Sequence, residues 1–139
     1  MMDSIMRKIL FVAFAVLTLL FAGSSTAWAG SPHFVNVSYS VSDNTLTVQG
    51  KEAGLGNETQ VHIVVNATAA CINPGDHHPK AANKEDFTAE GTFPVQNGRA
   101  DFLLTLTAAF QPSCSPPMTV QFTSITVTDV DHNVTKRLL

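Results

Sequence analysis

From His33 onward, the chain alternates short stretches in which every second residue is apolar with stretches of turn-forming residues. In the first stretch Val35, Val37, Tyr39 and Val41 fall in one phase, and an asparagine and two serines fall in the other. Because successive side chains of a β-strand point to opposite faces of a sheet, this period of two predicts a strand with one buried face. The whole pattern predicts a hairpin over 33–50 and strands at 59–67, 87–95, 100–107, 119–130 and 134–139.

Local signals refine three of these strands. Asn97-Gly98 joins two of them and suits a type I′ hairpin turn. The strand at 87–95 contains a glycine and a proline, which predicts an edge position because proline cannot donate to the ladder. In the strand at 119–130 the apolar positions change phase after Phe122, which predicts a β-bulge near Thr123-Ser124.

About seven short strands at intervals of 8–12 residues are typical of an all-β fold. We therefore predict an immunoglobulin-like antiparallel β-sandwich. Two connections lack periodicity: residues 51–58, which contain two glycines and predict a flexible linker, and residues 71–86, which predict a long polar loop.

The residues before this domain have the layout of a secretory leader. Arg7 and Lys8 precede an uncharged apolar run over 9–22, and the segment closes on Ala27-Trp28-Ala29, a site of the kind that signal peptidase cleaves. The run is too short to cross ~30 Å of hydrocarbon. We predict a signal peptide at 1–29, a single domain at 30–139 with no membrane span after cleavage, and a secreted, periplasmic or cell-surface location.

Charge narrows the class of partner. Without Asp3, Arg7 and Lys8 the chain keeps six basic and ten acidic residues, a formal net charge of −4. A mildly acidic domain with no basic cluster is poorly suited to nucleic acid or to anionic membrane surfaces. We therefore expect an extracellular ligand or protein as the partner.

Two cysteines lie in the predicted mature domain, Cys71 and Cys114. In an exported chain two cysteines most simply form one disulfide, and the absence of a C-x-x-C motif favours a structural bridge over a thiolate metal site or a nucleophile. Closing a loop of this length is worth ~4 kcal/mol by chain entropy.

The polar loop contains the candidate metal ligands Asp76, His77 and His78. Imidazole and carboxylate groups bind transition metals, and Glu85, Asp86 or a histidine from another loop, His132, could complete such a site. Neither H-x-H nor H-x-x-x-H spacing is present, and a solvated polar loop is the alternative.

A second acidic segment, Asp129-Val130-Asp131-His132-Asn133, offers oxygen ligands at alternate positions, as calcium loops do. It lacks the glycine and the glutamate of an EF-hand. A β-turn capped by aspartate and asparagine side chains is the favoured interpretation.

The loop also supports a resemblance. The order Cys-x-Asn-x-Gly from Cys71, then a proline and Asn83-Lys84, then a Thr-rich strand and a cysteine after prolines, resembles a group of small exported bacterial β-proteins. The segments Val-Ser-Tyr-Ser-Val-Ser at 37–42 and Leu-Thr-Val-Gln-Gly-Lys-x-Ala-Gly-Leu-Gly at 46–56 are similar too, so the resemblance covers most of the domain. It implies a β-sandwich with a disulfide-pinned loop and no catalytic activity. This chain departs from the group's pattern at Asp76 and the two histidines that follow it.

Catalytic motifs are absent from the sequence: there is no G-x-S-x-G, and no pair of carboxylates stands out. We therefore predict a non-catalytic exported binding or surface-interaction module, without a cofactor, whose ligand contacts centre on residues 72–86. The alternatives are a small extracellular metal- or calcium-binding protein and, after it, a hydrolase with an unrecognised site.

Overall fold

The computed structural model describes residues 30–75 and 83–139. The predicted signal peptide at 1–29 and the candidate ligands Asp76, His77 and His78 lie outside them. The described residues form seven β-strands: β1 His33–Ser42, β2 Thr45–Ala53, β3 Gln60–Ile72, β4 Lys84–Pro94, β5 Ala100–Thr107, β6 Thr119–Asp129 and β7 Val134–Arg137.

The strands pair into two antiparallel sheets, one in the order β1-β2-β5 and one in the order β4-β3-β6-β7. This arrangement confirms the predicted all-β sandwich and the edge position of β4. The other sheet has β1 at an edge, where the register with β2 shifts between Val35 and Ser38 and Asn36 adopts a left-handed conformation with φ 52°. Such a bulge interrupts the row of exposed backbone groups and protects an edge strand from pairing with other chains.

The core lies between the sheets and is built by the alternation seen in the sequence. Leu46 and Val48 of β2 face Ile63 of β3 and Ile125 and Val127 of β6, and none of these five side chains is exposed. Phenylalanine rings close the core in edge-to-face pairs: Phe34 with Phe102, Phe93 with Phe102, and Phe87 with Phe110.

Two local predictions are confirmed. Asn97 and Gly98 both have positive φ, at 53° and 74°, as a type I′ turn requires. The register between β3 and β6 shifts so that Thr68 pairs with Ser124 and the next residue pairs with Phe122, which leaves Thr123 as the extra residue of a bulge.

Other boundaries differ from the prediction. β3 continues to Ile72 and β4 starts at Lys84, so the polar loop is shorter than the predicted span of residues 71–86. The predicted flexible linker at 51–58 was wrong: its first three residues belong to β2, and Leu55 is buried and donates its backbone N–H to Gly98 O at 3.0 Å. Burial of an apolar side chain outweighed the glycine signal.

Cys71 and Cys114 form the predicted disulfide, with their Cα atoms 5.7 Å apart. The bridge joins the end of β3 to the segment before β6, and we call this the disulfide end of the sandwich. The opposite end carries the β2–β3 loop, the β4–β5 hairpin and the β6–β7 turn. Within the described residues, no helix has the length and apolarity needed to cross a membrane.

Candidate metal centre

Two carboxyl groups meet inside the sandwich near the opposite end. Glu52 continues the inward phase of β2 after Leu46 and Val48, and Asp129 continues the inward phase of β6 after Val127. Because the two strands belong to facing sheets, both carboxyl groups point into the space between the sheets. Neither residue has any exposed surface.

His132, in the turn after β6, joins these two residues. Its Nδ1 lies 2.6 Å from Asp129 Oδ2, and its side chain is 21% exposed. One potential ligand atom from each of Glu52, Asp129 and His132 lies within 4.8 Å of the others. We call these three residues the Glu52–Asp129–His132 cluster.

The turn is shaped by the other oxygen of Asp129. Asp129 Oδ1 accepts hydrogen bonds from the backbone N–H groups of Asp131, at 2.9 Å, and His132, at 3.2 Å. Asp131 Oδ2 in turn accepts from His62 N at 2.9 Å, which fastens the turn to β3. The favoured prediction of an aspartate-capped turn is thus confirmed, and the turn holds the imidazole against Asp129.

A fourth residue completes the arrangement from the β2–β3 loop. Glu58 Oε1 lies 2.7 Å from His132 Nε2. The loop is held by the buried side chain of Leu55 and by a hydrogen bond from Glu58 N to Leu55 O at 3.2 Å. The imidazole therefore has one carboxyl group at each ring nitrogen, a buried one at Nδ1 and a half-exposed one at Nε2.

Glu52 differs from the other members because, among the described residues, no N–H or O–H group donates to either of its carboxyl oxygens, so that its hydrogen-bonding neighbour is the carboxyl group of Asp129. Leaving a buried polar group without a partner costs ~1–3 kcal/mol, and more when the group is charged. Burial, followed by the hydrogen bond with the Asp129 carboxyl group and by its negative charge, raises the pKa of Glu52 to about 8. Glu52 is therefore largely neutral at pH 7.

Opposing effects act on the pKa of the His132 imidazole. Partial burial by itself lowers the pKa of His132, but the hydrogen bonds to Asp129 and Glu58 and the negative charges of these residues outweigh it, so the pKa is raised above its ordinary value. Without a metal ion, the cluster thus holds protons between its carboxyl and imidazole groups.

The same groups are suitable ligands for a divalent cation. Two carboxylates neutralise the charge of the ion, and an imidazole adds a nitrogen donor. A cation would also give the ionised Glu52 carboxylate a positive partner, and it would replace the protons that keep the two carboxyl groups compatible. An organic substrate could not reach Glu52 or Asp129, because both are completely covered.

The predicted ligands Asp76, His77 and His78 lie outside the described residues, whereas the residues expected to assist them, Glu85, Asp86 and His132, are described. Two of these additional ligands, Asp86 and His132, lie towards opposite ends of the sandwich. Asp86 bonds Thr68 Oγ1 at 2.6 Å towards the disulfide end, whereas His132 lies beyond the other end of β3. His132 therefore cannot join Asp86 in one site, because several residues of an extended strand separate their positions.

Sequence reasoning named Asp129 and His132 but missed both glutamates. The sequence did contain a signal for Glu52, because this glutamate falls in the inward phase of an alternating strand. A charged side chain is almost never fully buried unless it has a partner or a function. Because residues 51–58 were predicted to be a linker, Glu52 was not recognised as an inward-facing strand residue. Nothing local marks Glu58, since its role depends on the β2–β3 loop reaching the β6–β7 turn.

The disulfide end has a surface feature of its own. An open cavity of about 560 Å³ lies between the β1–β2 turn and the segment before β6, and Asn44, Cys114, Met118 and Val120 are among its lining residues. It adjoins the bridge that anchors the polar loop. The described residues that line this cavity do not include a group of potential metal ligands like Glu52, Asp129 and His132.

Comparison with family models, curated proteins and solved structures gave no match to this chain.

Proposed function

We propose that this protein is an exported, non-catalytic binding module whose ligand is a divalent cation, held by the Glu52–Asp129–His132 cluster. One observation carries the proposal: the Glu52 carboxyl group is completely buried, receives no hydrogen bond from an N–H or O–H donor among the described residues, and lies beside a second buried carboxyl group and an imidazole. A bound cation is the ligand that would satisfy this arrangement.

A binding role fits the surroundings of the cluster better than catalysis does. A hydrolase that used paired carboxyl groups would need an open cleft where substrate contacts both of them. Here the two carboxyl groups are sealed inside the sandwich, and only the His132 edge and Glu58 reach solvent. A small ion could enter at that edge.

Export is supported by the predicted signal peptide and by the disulfide, which is typical of oxidising compartments. We also infer an immunoglobulin-like architecture from the sheet orders β1-β2-β5 and β4-β3-β6-β7, in which β4 has joined the second sheet instead of extending the first. The cavity at the disulfide end favours a second interaction surface near the polar loop.

Calorimetric titration tests the cation proposal. Protein with its disulfide intact is treated with EDTA, exchanged into metal-free buffer at pH 7.5, and titrated separately with zinc, manganese and calcium chloride. We expect one equivalent of at least one ion to bind with micromolar affinity or better. Glu52→Gln, which keeps the size of the side chain but cannot ionise when the cation binds, should weaken that binding at least tenfold.

Glu90→Gln is the matched control, because Glu90 is an exposed carboxylate whose Oε2 lies 3.3 Å from His62 Nε2 on the outer face of the sandwich. It should bind the ion as the wild type does. Absence of binding by the wild type for all three ions, or equal affinity in the Glu52→Gln variant, would overturn the proposal and leave the cluster as a proton-sharing network that links the two sheets.

A further inference from the structure

We infer that the cluster selects a first-row transition ion such as Zn²⁺ over Ca²⁺, that His132 binds the ion through Nδ1, and that Glu58 is the positioning residue that orients the imidazole. This inference rests on the proposed function and specifies the ion class and the role of each side chain in the same site.

The ring orientation of His132 indicates which nitrogen faces the ion. Nδ1 points at Asp129 Oδ2, 2.6 Å away, and a carboxyl oxygen of Glu52 lies within 4.8 Å of a ligand atom of each of these two residues. Nε2 points away from the sandwich interior, at Glu58 Oε1 2.7 Å away. An ion shared by the two buried carboxylates therefore meets Nδ1, and Nε2 stays available to carry a proton.

In this arrangement Glu58 corresponds to the carboxylate that, in many metal sites, does not touch the metal but bonds the ligating histidine. A histidine that binds a metal through one nitrogen commonly donates its other N–H to a carboxylate, which fixes the tautomer and makes the ligating nitrogen a stronger donor. Here the donor would be Nε2–H and the acceptor Glu58 Oε1. Because Glu58 belongs to a different loop from His132, this bond also couples the β2–β3 loop to the β6–β7 turn.

The ligand atoms of the cluster favour a first-row transition-metal ion over Ca²⁺. Ca²⁺ takes six to eight oxygen ligands at about 2.3–2.6 Å, whereas Zn²⁺ is satisfied by about four nitrogen and oxygen ligands at about 2.0–2.2 Å. The cluster supplies one nitrogen and two carboxylates, and the partly exposed His132 edge leaves room for water as a further ligand. This combination matches a small ion that accepts imidazole better than one that requires many oxygens.

The test combines affinity with nitrogen NMR. Uniformly ¹⁵N-labelled protein is titrated with Zn²⁺ and, separately, with Ca²⁺, and the histidine ring nitrogens are observed through their long-range proton couplings. We expect Zn²⁺ to bind at least tenfold more tightly than Ca²⁺. In the zinc-loaded protein His132 Nδ1 should show the shift of a metal-bound nitrogen, and Nε2 should remain protonated.

Variants of the two histidine-bonded glutamates separate the positioning role from general effects. Glu58→Gln keeps a carbonyl oxygen that can accept from Nε2 but removes the charge, and it should weaken Zn²⁺ binding by about 10–100-fold while leaving Nδ1 as the ligand. Glu58→Asp should recover part of the affinity. Glu90→Gln, which alters the equivalent bond of His62, should change neither the affinity nor the His132 resonances.

The outcomes distinguish this inference from the proposed function. Binding of Zn²⁺ through Nε2, binding without any change at His132, a Ca²⁺ affinity equal to or above that for Zn²⁺, or full zinc affinity in Glu58→Gln would each overturn the inference while a cation site at Glu52 and Asp129 remained. Failure of every ion to bind would overturn both.

Discussion

Glu52 and Asp129 lie 77 positions apart in the sequence, yet their carboxyl groups are neighbours in the sealed interior between the two sheets. Each occupies an inward position at one end of an alternating strand, where the preceding inward residues are apolar. The chain has thus placed two acids where its own pattern calls for hydrophobic side chains. Such a departure from local rules is expected at functional sites, where a fold gives up stability for chemistry.

The metal-free protein should lose stability as the pH rises from 5 to 8. The folded-state pKa of Glu52 is about 8, above its ordinary 4.5, so the folded state binds more protons than the unfolded state in that window and stability falls by up to ~1.4 kcal/mol per pH unit. The raised pKa of His132 acts in the same direction above pH 6.5, because its stabilising bonds weaken as it deprotonates. Urea denaturation in EDTA at several pH values measures this slope.

Glu52→Gln identifies how much of that slope belongs to Glu52. An amide cannot ionise, so the variant should match the wild type near pH 5, exceed its stability near pH 8, and keep only the contribution of His132. Equal slopes for the two proteins between pH 4.5 and 6.5 would show that Glu52 titrates normally. Glu90→Gln should follow the wild type throughout.

Removing the disulfide should destabilise the domain without affecting the proposed cation site. The Cys71–Cys114 bridge closes a loop of 43 residues, and a Cys71→Ala/Cys114→Ala variant should lose ~4 kcal/mol of unfolding free energy in the chain-entropy view. The cluster lies at the other end of the sandwich, so the affinity of the folded variant for the cation should be unchanged. Denaturant titration and calorimetry give the two quantities, and a loss below about 1 kcal/mol would contradict the first.

Core and surface leucines should respond very differently to truncation. Leu46 is completely buried between the sheets, whereas Leu103 is 55% exposed on the outer face of β5. Leu46→Ala should cost about 2–5 kcal/mol, because the lost contacts leave a cavity. Leu103→Ala should change stability by no more than about 0.5 kcal/mol. Similar losses for both variants in chemical denaturation would contradict the packing described for β2 and β5.

Secretion should remove the leader. Arg7, Lys8, the apolar run over 9–22 and the Ala27-Trp28-Ala29 site predict cleavage after Ala29. Intact-mass analysis of exported protein should therefore give a chain that starts at Gly30 and is two hydrogens lighter than the fully reduced form. Retention of the uncleaved chain in the membrane fraction would show that the segment acts as an anchor.

The amino-acid sequence by itself determined the elements of this fold. Alternation of apolar and polar residues predicted the strands, Asn97-Gly98 predicted a hairpin, and the change of phase after Phe122 predicted the bulge at Thr123. These features depend on interactions between residues close in the chain, or on the two-residue repeat of a strand, so local patterns contain them. The pairing of the two cysteines followed from their number.

The site was decided only by the tertiary structure. Asp129 and His132 are neighbours in sequence and could be noticed together, but Glu52 reaches them through the packing of one sheet on the other, and Glu58 through the path of a loop. Which inward positions face each other depends on strand order and register, which the alternation alone does not specify. The sequence therefore defined the two faces of each strand, and the packing of the sheets determined which charged groups share one buried space.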